Sequence, residues 1–95
     1  MAIRILIERK IIPGNELLLN DLLMKLRTKA MNAKGYISGE TLRSLDDVNT
    51  YVVISTWNSL EEWKAWTDNK ERKELQARID ALLKAPATHR VYAYY

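Results

Sequence analysis

The sequence predicts an α+β domain with element order β-α-β-β-α-β, the split β-α-β arrangement of ferredoxin-like folds, built on a four-stranded antiparallel sheet. Three observations predict it. Period-two alternation marks a strand over residues 2–10, and a β-branched, hydroxylic and aromatic run that suits packing on both faces marks another over 50–57. A leucine stripe at three- and four-residue spacing marks a helix from about 16 to 31. Ser59 with Glu62 three residues later is a capping pattern that opens a second helical region directly after the strand ending at Trp57.

Taken in order, residues 2–10 place Ile3, Ile5 and Ile7 on one face and Arg4, Leu6 and Glu8 on the other. Pro13 and Gly14 end this strand, because proline lacks the N–H a ladder needs and glycine permits the turn. Asn15 is the expected N-cap, and Glu16 suits the positive end of the helix dipole. Leu19, Leu22, Leu23, Leu26 and Ala30 form the first helix's core stripe, and Lys34-Gly35 closes it. The second strand covers 36–45, with Gly39 marking a bulge or the close approach of another group. Asp46-Asp47-Val48-Asn49 is a polar turn, and the third strand returns antiparallel over 50–57. All three tryptophans fall between positions 57 and 66. Leu60, Trp63 and Trp66 share one helix face. Thr67-Asp68-Asn69 interrupts that helix, and Asp68 or Asn69 caps a further one reaching 83 or 84, with Leu75, Ile79, Leu82 and Leu83 as its apolar stripe. Pro86 stops it, and residues 88–95 form the last strand.

Composition excludes several classes. Ninety-five residues make one domain, spanning 1–95. A net charge of +3 is small, and basic residues are mixed with acidic ones, as in the run from Asn69 to Glu74, which reads as a solvated helix face. Nucleic-acid binding is not expected. The absence of cysteine removes disulfides, thiolate nucleophiles and cysteine zinc sites, and one histidine cannot build a multi-histidine metal site. No apolar run approaches the ~20 residues of a membrane span or the form of a signal peptide, so the expected location is the cytoplasm.

A sheet with helices on one face needs its second face polar or covered. The third strand is apolar or aromatic on both faces, and the last strand divides Tyr92, Tyr94 and Tyr95 between them. The expected cover is the same face of a second copy, giving a homodimer that closes into a dimeric α+β barrel.

The passage Val53-Ile54-Ser55-Thr56-Trp57-Asn58-Ser59-Leu60-Glu61-Glu62-Trp63-Lys64-Ala65-Trp66, the Gly35-Tyr36-Ile37 run and Pro86 followed by Val91-Tyr92 together resemble the antibiotic biosynthesis monooxygenase family. The resemblance covers nearly the whole chain and implies the dimeric α+β barrel. It spans several chemistries: cofactor-independent oxygenases of polycyclic phenols, haem-degrading enzymes and small-molecule isomerases. In the haem-degrading branch a tryptophan matches Trp66 and a histidine about ten residues later ligates iron. Here that position is Gln76, followed by Ala77, and neither replaces an imidazole. That branch also has an asparagine near the end of the first strand, where this chain has Glu8 and Arg9. Isomerase-like members carry histidine where Trp66 stands. The resemblance therefore implies a cofactor-independent monooxygenase-like enzyme for a small aromatic or quinol-type substrate, with no metal or cofactor. The alternatives are a non-catalytic small-molecule-binding dimer and a haem-binding protein.

Trp66 is the leading pocket residue, because an indole supplies a flat apolar wall and one N–H donor. Its competing reading is core packing, and Trp63 and Trp57 read first as core or interface, with Trp63 a further candidate wall. His89 is the only side chain with an unperturbed pKa near neutrality and is the candidate general base, against the reading of a surface histidine beside a loop. Arg43 or Arg90 could stabilise an anion if turned toward the helices. Tyr36 and Tyr51 are candidate ligand-lining rings. Ser55, in an apolar strand, needs a hydrogen-bond partner from backbone, water or ligand.

Overall fold

A computed structural model describes residues Met1–Tyr95. Its elements are β1 (Ile3–Lys10), α1 (Glu16–Met31), β2 (Tyr36–Arg43), β3 (Thr50–Trp57), α2 (Leu60–Thr67), α3 (Lys70–Asp80) and β4 (Thr88–Ala93). The strands form one sheet in the order β2-β3-β1-β4, antiparallel throughout, which is the ferredoxin-like arrangement the alternation predicted. No helix is long and apolar enough to cross a membrane.

Register decides which side chains meet. Ile3 faces Trp57, Ile5 faces Ser55, Ile7 faces Val53 and Arg9 faces Tyr51 across β1 and β3. On the other side of β1, Ile7 faces His89. Because side chains alternate along a strand, all of these lie on the sheet face the helices cover. Two apolar clusters fill the space beneath. One joins Ile11, Leu19, Leu22 and Tyr51 to Leu75, Ile79 and Leu83; the other joins Ile3, Ile5, Ile7, Ala30, Trp57 and Trp66. Leu26 touches both.

The helix starts follow from local chemistry. Ser59 Oγ accepts from the Glu62 backbone N–H at 3.2 Å and donates to Glu62 Oε1 at 3.0 Å, a variant of the expected capping box. Asn69 Oδ1 accepts from Arg72 N–H at 2.9 Å and opens α3. Gly35 has φ +90°, and a Cβ there would lie 2.7 Å from Glu62 Cβ, so only glycine lets the exit of α1 pass against α2. Of the two features expected at Gly39 the close approach occurs, while the bulge falls earlier in β2, at Ile37. The β2–β3 register shifts between Tyr36 and Ser38, and a Cβ at Gly39 would stand 2.6 Å from the Tyr36 hydroxyl.

One cap and three boundaries differ from the sequence reading. Asn15 holds the N-cap position of α1, its carbonyl accepting from Leu19 N–H, but its side chain makes no cap bond: the amide donates to Ile12 O, and the Glu16 carboxylate accepts from Gly14 N–H. α3 stops at Asp80, short of 83, because the next backbone groups are spent on β1: Leu82 O accepts from Ile12 N–H and Lys84 N–H donates to Lys10 O. β2 ends at Arg43, where Ser44 Oγ accepts from the Asp46 and Asp47 N–H groups and turns the chain. β4 ends at Ala93, the partner of Ile3, where β1 itself begins.

The second sheet face carries Leu6, Val52 and Ile54, half-buried, with Leu42 and Tyr92 exposed. Arg90 pairs with Leu6 and therefore lies on this face, away from the helices, contrary to the reading that it could turn toward them.

Candidate functional site

Three rings and a hydroxyl form the nucleus of the site. Trp57, at the end of β3, is 1% exposed, and its indole N–H donates to Ser55 Oγ at 3.1 Å. The strand period places both on one face, so Ser55 satisfies the buried indole and lacks no partner of its own. The Ser59 cap sets the phase of α2, which lays Trp66 against Trp57 with centroids 6.2 Å apart and planes inclined by 26°. Tyr36 meets Trp57 edge-on at 5.3 Å and 89°, resting over the bare Cα of Gly39. With Trp63 and the Leu23 and Leu26 side chains of α1, these rings wall a cavity between sheet and helices of about 70 Å³ that opens to solvent.

The polar lining is mostly cationic. Arg9, Arg27 and Arg72 contribute guanidiniums, and Glu40 the one carboxylate. Arg9 is 1% exposed and was not singled out as a site residue from sequence. The signal was present: period two carries the buried face from Ile3, Ile5 and Ile7 onto Arg9. Its Nη2 donates to Gln76 Oε1 at 3.0 Å, and Gln76 in turn donates to Asp80 Oδ1 at 2.8 Å. Its Nε is buried and makes no hydrogen bond. Burial first, then Arg72, pulls the Arg9 pKa down to about 10, against Asp80, and the group remains a cation at neutral pH. Arg72 was read as part of a solvated helix face. It is half-buried instead, donates to Thr67 O at 3.4 Å, and its pKa is lowered mainly by burial.

Of the residues expected to serve the site, Trp66, Trp63, Tyr36 and Ser55 line the cavity. Arg43 and Tyr51 do not. They pair with each other at the far end of the sheet, the guanidinium 5.4 Å from the ring centroid, with Arg43 Nε donating to Val48 O and Tyr51 buried in the Leu19–Ile79 cluster. His89 is exposed and outside the lining, but it sits on the same sheet face beside Ile7, which does line it. Its pKa is lowered by the burial it has, then by Arg72 and Arg9, with Asp80 opposing.

A haem iron does not fit these residues. Position 76 holds an amide already bonded to Arg9 and Asp80, and His89 stands near two guanidiniums that oppose a further cation. No three histidine, aspartate or glutamate side chains converge elsewhere.

A ferredoxin-like sheet roofed by helices, with an aromatic cavity between the layers, defines an α+β ligand-pocket domain. The chain belongs to the antibiotic biosynthesis monooxygenase family, whose model matches residues 2–78. No curated protein matches it in sequence. Its backbone is similar to that of a conserved protein from Methanosarcina mazei Go1, at 15% identity and TM-score 0.94, covering 100% of this chain and 94% of that one. It is also similar to Rv0793 from Mycobacterium tuberculosis (18%, TM-score 0.90, 100% and 96% covered). A third likeness is to SnoaB, a cofactor-independent oxygenase from Streptomyces nogalater (14%, TM-score 0.89, 99% and 93% covered). At these identities the three likenesses speak for the fold.

Proposed function

We propose that this protein is a cofactor-independent monooxygenase of a small aromatic, quinol-type substrate, working in the cytoplasm as a homodimer. The observation that carries the reading is the cavity walled by Trp57, Trp63, Trp66 and Tyr36. Such walls suit a flat fused-ring substrate. Family membership supports the reaction type.

The substrate that suits this reaction is a phenol with a free para carbon. His89, neutral at pH 7 because its pKa is lowered, takes the phenolic proton. The cationic lining favours the phenolate that results. The phenolate passes one electron to dioxygen, giving a phenoxyl radical and superoxide. These join at the para carbon to form a C–O bond. His89 returns its proton to the peroxide, and loss of the C–H proton with cleavage of the O–O bond then releases water and leaves a quinone. One atom of dioxygen ends in the carbonyl and the other in water.

The exposure of His89 favours a second reading, a non-catalytic binder of aromatic molecules on the same dimer. One experiment separates the two: oxygen uptake over a panel of polycyclic phenols, with the Trp66→Phe, His89→Ala double variant beside the wild type. The oxygenase reading expects uptake matched by quinone and lost in the double variant. Binding without uptake supports the non-catalytic reading, and full activity in the double variant removes both residues from the reaction.

A further inference from the structure

We infer that the ligand of this cavity carries a carboxylate, and that Arg9 is the cation that receives it. The inference rests on the aromatic-cavity reading above and names the substrate class of that site.

Arg9 is buried, yet no carboxylate pairs with it. The ion pairs of the molecule are Lys25–Asp21 and Lys29–Glu71, both at the surface. The side-chain partner of Arg9 is the neutral amide of Gln76, and its Nε, facing no acceptor, is the one buried side-chain polar atom left unpaired. A buried cation without a counter-charge is costly to fold, and a buried donor without an acceptor adds to that cost. Nearby charge gives no net relief, because the repulsion of Arg72 outweighs the attraction of Asp80. Arg72 and Arg27 line the same cavity, and the single carboxylate of the lining, Glu40, is exposed and pairs in register with Ile54 of the opposite sheet face. Asp80 is reached only through Gln76.

An incoming carboxylate answers each of these deficits. It supplies the missing acceptor to Nε and the missing negative charge. The guanidinium fork is shaped for its two oxygens. The aromatic walls of the same cavity then hold the rest of the molecule, so the expected ligand is a fused or single aromatic body bearing an acidic group.

The test is calorimetric titration at pH 7 with 1-hydroxy-2-naphthoate and its methyl ester, which share a body and differ in charge. The wild type is expected to bind the acid at least about tenfold more tightly, the effect of a charge-assisted hydrogen bond. Arg9→Met should abolish the preference, so that acid and ester bind alike. Its melting temperature should be unchanged or raised, because the substitution removes an uncompensated buried charge. Arg9→Lys keeps the charge without the fork and should retain only part of the preference, a second variant that reads the same site if the first folds poorly. Equal binding of acid and ester by the wild type, or a preference that survives in Arg9→Met, overturns the inference while the oxygenase reading stands. Failure of both molecules to bind overturns both. Selective acid binding without oxygen uptake on any acidic phenol sinks the oxygenase reading and leaves the carboxylate site.

Discussion

Trp57 and Arg9 share one sheet face and meet burial in opposite ways. The indole N–H of Trp57 finds Ser55 two residues away on its own strand. The guanidinium of Arg9 finds only an amide and keeps a donor unpaired. A domain that has solved the first problem locally and left the second open marks the second as a place where something binds. The same cations act on His89. Burial, Arg72 and Arg9 hold its pKa below 6.5, so the imidazole accepts a proton only as pH falls through that lowered value. Turnover is expected to be flat around neutrality and to fall on the acid side below pH 6.5. His89→Ala should slow it ~10²-fold or more and erase the acid limb. Arg9→Met removes one of the two opposing cations and should shift that limb to higher pH. An acid limb that His89→Ala leaves in place excludes His89 as the base. Trp66, Trp63, Tyr36 and Ser55 were legible as cavity-lining residues because aromatic and hydroxylic side chains on buried faces announce themselves by type and period. Arg9 was hidden by type: an arginine on a strand reads as solvated unless the parity of its neighbours is followed through it.

At the scale of elements, caps and glycines set where the site's walls stand. The Ser59 and Asn69 caps phase α2 and α3, and the two helices deliver Trp63, Trp66 and Arg72 to the cavity and Gln76 to Arg9. Asn69→Ala is expected to cost about 1 kcal/mol, read as a lower urea midpoint with unchanged slope, while Asn69→Asp should cost little because a carboxylate both caps and suits the helix dipole. An unchanged midpoint in Asn69→Ala would mean that packing of Leu75 and Ile79 fixes the start of α3 without the cap. These starts were readable from sequence because a cap is decided within four residues. The ends were not. The close of α3 at Asp80 depends on backbone hydrogen bonds from Ile12 and to Lys10, some 70 residues away in the chain, and the close of β4 depends on where β1 begins. Such boundaries are tertiary facts with no local sequence mark.

For the whole molecule, one sheet face is roofed by helices and the other is not. Leu6, Val52 and Ile54 on the open face are partly shielded by one another, and Tyr92 and Leu42 extend the same apolar surface. The element order and this two-faced apolar character were both legible, because alternation survives in sequence whatever covers the face. The proposed homodimer would cover it. Sedimentation velocity is expected to give twice the protomer mass of 11.1 kDa for the wild type and the protomer mass for Ile54→Lys with an unchanged far-ultraviolet spectrum. A single mass shared by both would remove this face as the interface. The proposed oxygenation in the cavity between sheet and helices, run by the chain's own side chains, is read out with labelled dioxygen. Chelator-treated protein is mixed with a polycyclic phenol that supports uptake, under ¹⁸O₂, and the product is extracted at once. One labelled oxygen per quinone, the second in water, and loss of product in the Trp66→Phe, His89→Ala variant is the expected result. Quinone without label, or a rate equal to that of the phenol alone in buffer, would contradict the account.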